Sequence, residues 1–155
     1  MKGNPKIIDK LNFLLADELT AISQYMVQAE MCDNWGYKVV ADVIEKRAIE
    51  EMKHAEKHIA RILFLEGMPI VSNLNKINIG NTVEAQHKND MEAESTAIKE
   101  YNLAIKLAVE LGDNGTRDLL EEILEDEEEH IDWIEAQLDQ INQMGIQNYL
   151  AQQLS

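Results

Sequence analysis

Two stretches of this sequence repeat one another 76 residues apart, and the repeat puts acidic residues where a helix would bury them. Glu18-Leu19-Thr20-Ala21-Ile22-Ser23-Gln24-Tyr25 and Glu94-Ser95-Thr96-Ala97-Ile98-Lys99-Glu100-Tyr101 both read Glu-x-Thr-Ala-Ile-x-x-Tyr. Glu51-Met52-Lys53-His54 and Glu127-Glu128-Glu129-His130 both read Glu-x-x-His, at the same offset. Glu18 lies four residues from both Leu14 and Ile22, and Glu94 falls between Met91 and Ile98. Glu127 and His130 share a helix face with Leu120, Ile123, Leu124, Ile131 and Ile134, while Glu51 and His54 follow Ile44 and Ala48 and precede Ile62. Four carboxylates and two imidazoles therefore face one apolar interior, with Arg47 and Lys53 expected on neighbouring faces. Ionised carboxylates buried together are prohibitively costly without compensation. Either several are protonated, with raised pKa values, or cations neutralise them. Four Glu match two divalent ions in charge, and the i,i+3 spacing lets Glu and His of one helix reach the same pair of ions. A single Glu-x-x-His is most often a solvated surface pair. Two in register with two embedded Glu are a site.

The punctuation around these stretches predicts four long helices. Asn4-Pro5 reads as an N-cap followed by proline at the first helical position, and the stripe Ile7, Leu11, Leu14, Leu15, Leu19, Ile22, Tyr25, Met26, Ala29 carries a helix over about 5–34. A second spans about 39–66, with Gly67 as its C′ residue and Pro69 beyond. The stretch of about 68–81 has no helical period. Asn81-Thr82-Val83-Glu84 resembles a capping box opening a helix over about 82–111, and Thr116 is expected to cap a fourth over about 116–144. Short joints make each pair an antiparallel hairpin. The middle connection, extended, spans roughly 43–47 Å, against about 42–45 Å for a helix of this length. It can run the length of the bundle, so the fold class is all-α: a ferritin-like four-helix bundle with one long crossover. Ile146, Tyr149, Leu150 and Leu154 mark a short fifth helix over about 146–154, too short to stand alone. It is expected to dock, on the bundle or on another subunit, and is read as a contact between subunits. Residues 1–155 make one domain, and the inward Glu and Glu-x-x-His set matches the template of di-metal carboxylate bundles.

Charge narrows the function. Lys+Arg total 14 against Asp+Glu 29, a net charge of −15, so cations are the natural partners and nucleic acid is not. No apolar run reaches the ~18 residues of a membrane span. The start, Met1-Lys2-Gly3-Asn4-Pro5, lacks the apolar stretch of a signal peptide, so the expected address is cytoplasmic. Cys32 is the one cysteine, which excludes an internal disulfide and any Cys-x-x-Cys site; it reads as an inert thiol.

Along essentially its whole length the chain resembles bacterioferritin, the haem-containing ferritin of bacteria. The resemblance rests on Met1-Lys2-Gly3, Asn34-Trp35-Gly36, Glu51-Met52-Lys53-His54-Ala55 and Arg61-Ile62-Leu63-Phe64-Leu65-Glu66-Gly67. Further on it takes in Glu127-Glu128, His130-Ile131-Asp132-Trp133, Met144-Gly145 and Gln147-Asn148-Tyr149-Leu150. It implies that Glu18, Glu51, His54, Glu94, Glu127 and His130 are ferroxidase ligands. Glu51 and Glu127 would bridge two irons, Glu18 with His54 completing one and Glu94 with His130 the other. Met52 points about 100° away from Glu51 and alone reads as a packing or interface methionine. The resemblance makes it the axial ligand of haem b shared by two subunits, in a pocket lined by Leu19, Ile22, Ser23, Met26 and Ile49. Lys46 stands where members carry a cavity-facing His, Glu50 replaces an Asp, and Ala151 replaces a pore-lining Gln, with Asn148 retained. Tyr25 and Tyr101 are expected to hydrogen-bond ligand carboxylates. His58 and His87 are given surface or packing roles, as are Trp35 and Trp133.

The expected function is iron storage and detoxification by a ferroxidase. Fe(II) is oxidised by O2 or H2O2 and stored as ferric mineral in a homo-oligomeric 24-mer, with the haem and a ferredoxin-type donor returning electrons for release. The alternatives are a haem-free ferritin, a rubrerythrin-like or other di-metal carboxylate oxidoreductase, and a DNA-coating mini-ferritin. A single Cys argues against the four-Cys iron site of rubrerythrin. The absence of a basic tail argues against DNA coating.

Overall fold

A computed structural model describes residues 1–155. Four long helices, α1 (Pro5–Asn34), α2 (Lys38–Phe64), α3 (Val83–Glu110) and α4 (Asn114–Met144), form a bundle that a short α5 (Ile146–Ala151) closes at one end. At the start of α1 the Asn4 side chain accepts from Lys6 N, and Pro5 occupies the first turn. The capping side chain of α3 is Thr82, which accepts from Ala85 N.

Two termini differ from their sequence expectation. Asp113, not Thr116, caps α4: its Oδ1 accepts from Thr116 N, and the Thr116 hydroxyl donates back to Oδ2. The carboxylate outcompetes the hydroxyl because Arg61, from α2, donates to both residues and ties the two hairpins together. At the end of α2 the left-handed residue is Glu66 (φ 63°), not Gly67. Gly67 is needed instead for close approach, since a Cβ there would sit 2.7 Å from Ile8 Cγ2.

The crossover between α2 and α3 is extended and lies along α1. Its backbone is fastened by polar side chains one or two turns apart on that helix. Asn12 Oδ1 accepts from Ile70 N, Thr20 Oγ1 from Asn75 N, Gln24 Oε1 from Asn78 N and Gln28 Oε1 from Gly80 N. A segment without its own hydrogen-bond ladder thereby finds partners for its amides, including that of buried Gly80.

The apolar core is split in two. One cluster gathers Leu11, Leu14, Leu15, Ile62, Leu120 and Ile123 around Tyr101; the other gathers Ile44, Val40, Ala41, Cys32 and Ile141 around Tyr25 and Tyr149. Between them lies a polar layer. The C-terminal segment docks on its own bundle. Tyr149 is fully buried, its hydroxyl donating to Gln137 Oε1 (2.8 Å) and accepting from His87 Nε2 (3.0 Å), and Val39 N donates to Gln153 O. Both hydrogen-bond capacities of the phenol are thus met inside the chain. Burial first, and then the Arg47 charge, push His87 down to about 4, so it stays a neutral donor. Tyr149→Ala is expected to lower subunit stability by about 3–5 kcal/mol, measurable by chemical denaturation; a midpoint unchanged from the native chain would contradict this docking.

Candidate metal centre

The polar layer is built from all four long helices. Glu18 comes from α1, Glu51 and His54 from α2, Glu94 from α3, Glu127 and His130 from α4, and each is at least nine-tenths buried. Glu18, Glu51, His54 and Glu127 form one group of mutually close ligand atoms; Glu51, Glu94, Glu127 and His130 form the other. Glu51 and Glu127 belong to both. His54 Nδ1 lies 3.2 Å from Glu127 Oε1 and 3.6 Å from Glu18 Oε2; His130 Nδ1 lies 3.1 Å from Glu51 Oε1 and 3.4 Å from Glu94 Oε1.

One atom of each of the six residues is buried without a hydrogen-bond partner: Glu18 Oε2, Glu51 Oε1, His54 Nδ1, Glu94 Oε2, Glu127 Oε1 and His130 Nδ1. Six orphaned donors and acceptors in one layer are a heavy cost for a fold to carry unless they have a ligand. Oxygen and imidazole donors in this ratio suit divalent iron, manganese or zinc.

The protonation pattern says how the layer is tolerated without metal. Burial, reinforced by Glu51, holds Glu18 well above the usual carboxylate range. Burial and the Glu127 charge raise Glu94 to about 8. Burial and Glu18 act to raise Glu127 too, but the close approach of Glu94, His130 and His54 outweighs them and holds it low. Burial opposes charge on His54 and His130, yet the surrounding carboxylates (Glu127, Glu18 and Glu51 for His54; Glu127, Glu51 and Glu94 for His130) push both far up. Protonated Glu18 and Glu94 with two imidazolium rings let four carboxyl groups share the interior.

The outer contacts cross between the hairpins. Tyr25 Oη donates to Glu94 Oε1 (2.5 Å) and Tyr101 Oη to Glu18 Oε1, as the repeat predicts. His54 Nε2 meets Asp126 Oδ2 at 2.8 Å, and His130 Nε2 meets Glu50 Oε2 at 2.6 Å. These bonds assign the Nε2 hydrogen and leave each Nδ1 free for a metal. Sequence reasoning missed the role of Asp126 and Glu50, although the two are 76 residues apart and each precedes the Glu of a Glu-x-x-His. Lys46 is exposed, 3.8 Å from Glu50 Oε1.

Arg47 is the correction. Placed by its spacing on a neighbouring face, it is 3% exposed, packed over Tyr25 and Trp133 and 3.6 Å from buried Asp90. Gln24 and Gln28 each donate to Asp90 Oδ1 at 2.8 Å. The cation is balanced by Asp90 and so does not compete with a metal for the Glu layer. Met52 is on the outer side of α2, 45% exposed, one turn after exposed Ile49. Cys32 is buried, its thiol donating to Gln86 Oε1, and burial pushes it up to about 12. His58 and His87 are interior residues, Trp35 is partly exposed, and no helix is long and apolar enough to cross a membrane.

The ferritin-like domain family matches residues 8–144. The bacterioferritin of Mycolicibacterium paratuberculosis is 39% identical over 155 residues, covering all of this chain and 98% of that protein. That of Rhodobacter capsulatus is 40% identical over 149 residues, 96% of this chain and 92% of that one. The bacterioferritin of Brucella melitensis is 38% identical over the same length.

Proposed function

The chain belongs to the bacterioferritin family, iron-storing ferroxidases with a ferritin-like fold, and we propose that its ferroxidase centre is Glu18, Glu51, His54, Glu94, Glu127 and His130. Supporting this is the single observation of six buried, unpartnered ligand atoms, one from each of those residues. Glu51 and Glu127 would bridge two Fe(II), Glu18 and His54 completing one position and Glu94 and His130 the other. Iron is the substrate: two Fe(II) give one electron each to O2 or H2O2 and leave as Fe(III) for the store. What the chain supplies is a charge-matched, oxygen-rich cradle. Glu18, Glu94 and both imidazoles surrender their protons as metal enters, and Asp126 and Glu50 hold the imidazoles in the tautomer that offers Nδ1. The acidic chain, at −15, draws cations toward it. The test is a stopped-flow titration of metal-free protein with Fe(II) in air. A fast phase that saturates at two Fe(II) per chain is expected; saturation at none or one would overturn the assignment.

Family membership implies assembly into an iron-holding cage. We take the cage to be a cytoplasmic 24-mer, with a ferredoxin-type donor supplying electrons for iron release. Haem b, bound between two subunits through one Met52 from each, would carry those electrons. The residues fit such a group in kind: the Met52 thioether is exposed, as are Ile49, one turn earlier on the same helix, and Met26 of α1. Met52→Leu is expected to abolish the Soret band while the particle, several hundred kDa by gel filtration, and most Fe(II) oxidation remain. An unchanged haem spectrum would require a different axial ligand.

A further inference from the structure

The two-fold relation between the halves extends outward from the six ligands and then stops. Tyr25 and Tyr101 are equivalent at the 76-residue offset, as are Glu50 and Asp126. One layer further out the halves diverge. Ile134 holds the place equivalent to His58, Ile123 that of Arg47, and Leu14 that of Asp90. His58 therefore stands behind Tyr101 with no counterpart behind Tyr25. We propose that His58 is a positioning residue that acts through Tyr101 on Glu18 and makes the Glu18–His54 position the first of the two to take metal. This rests on the metal-centre reading above.

His58 is fully buried, with Nε2 2.7 Å from Tyr101 Oη and its ring nearly parallel to the phenol, centroids 5.9 Å apart. Tyr101 Oη is also bonded to Glu18 Oε1. A metal-binding carboxylate can only accept, so the single phenolic hydrogen goes to Glu18 and the imidazole must donate from Nε2. The result is a one-way chain, His58 N–H to Tyr101 O–H to Glu18, in which each bond strengthens the next. Burial keeps His58 neutral, pushed down to about 3. It thus supplies a donor without a positive charge beside a cation site. Glu18 Oε1 is committed to this chain while Oε2 stays unpartnered beside His54.

The other half is looser. Tyr25 Oη donates to Glu94 Oε1, but its oxygen receives no donor in return; Arg47 lies over the ring face, 5.2 Å away, engaged with Asp90. A ligand already held in its binding orientation loses less freedom when metal arrives. Glu18 is the more firmly held of the two terminal carboxylates, and its position fills first.

Calorimetric titration of metal-free protein with Zn2+, which binds the same donors without redox change, tests this. Native protein is expected to show two resolved steps. His58→Leu should weaken the tighter step by about five- to tenfold, the loss of one hydrogen bond, and leave the weaker step unchanged. His58→Gln retains an amide donor near the Nε2 position and should restore the tighter step. Tyr25→Phe should weaken only the second. Equal weakening of both steps in His58→Leu, no change in either, or failure of His58→Gln to restore a chain with native thermal midpoint would overturn the proposal. If His58→Leu does not fold, Tyr101→Phe takes its place, with the same expectation for the tighter step. Native protein that binds fewer than two Zn2+ would instead sink the metal-centre reading and this inference with it.

Discussion

Glu51→Ala and Glu127→Ala are each expected to cut the fast phase of Fe(II) oxidation by more than about a hundredfold, beyond the 10–100-fold typical of losing a contact behind a metal ligand. The reason is topological. Glu51 and Glu127 are the two residues common to both ligand groups, whereas Glu18, His54, Glu94 and His130 each belong to one. Removing a shared carboxylate takes a donor and a charge from both positions at once, so neither Fe(II) is held in register with the other for transfer of two electrons. Glu18→Ala should leave one position intact and retain binding of a single ion. The helical fold should survive, because in the metal-free chain the Glu layer is a cost rather than a source of stability. Circular dichroism separates loss of site from loss of fold. Native initial oxidation rates in both variants would remove Glu51 and Glu127 from the bridging role.

What the sequence made legible is what periodicity and duplication encode. Glu18 and Glu94 interrupt apolar stripes, and the Glu-x-x-His pairs recur at one offset, so the spacing alone places the six inward groups and both tyrosines on helix faces. The crossover followed from length alone. Arg47 was misplaced because helical spacing gives an angle, not an environment: its burial depends on Asp90 from α3 and on Trp133 from α4, partners whose proximity is purely tertiary. His58 escaped for the same reason, since its partner Tyr101 is on another helix. The polar row Asn12, Thr20, Gln24 and Gln28 is the rail to which the crossover backbone is bonded, a role that helical spacing alone does not encode. Residue preference favours Thr116 as a cap, and a carboxylate three residues earlier, backed by Arg61, takes that place. Tyr149 is legible as part of an apolar stripe, but the burial of its hydroxyl between His87 and Gln137 is purely tertiary.

Metal-free protein is expected to lose stability steeply as pH rises from about 6.5 to 8, and metal-loaded protein to show almost none of that loss. Glu94, raised to about 8, and Glu18, held well above the usual carboxylate range, keep protons in the folded chain that the unfolded chain gives up above about 4.5. His54 and His130, both raised, likewise keep protons that the unfolded chain loses above about 6.5. In each case the native state binds more protons, so stability falls with rising pH. Below about 6.5 the trend is opposed by His58 and His87, lowered to about 3 and about 4: there the unfolded chain binds the extra protons, and stability rises with pH. The two effects offset each other in acid and leave the decline unopposed above it. Each retained proton is worth about 1.4 kcal/mol per pH unit, so several together shift the thermal midpoint by many degrees. Divalent metal replaces those protons, because every donor must be deprotonated to bind. Loading with Zn2+ should therefore both raise the midpoint and flatten its dependence on pH, and the proton release on binding should shrink as pH rises toward 8. Thermal denaturation at pH 6.5, 7.25 and 8, with and without Zn2+, measures both slopes. Parallel slopes would mean that the six-residue layer does not exchange protons for metal.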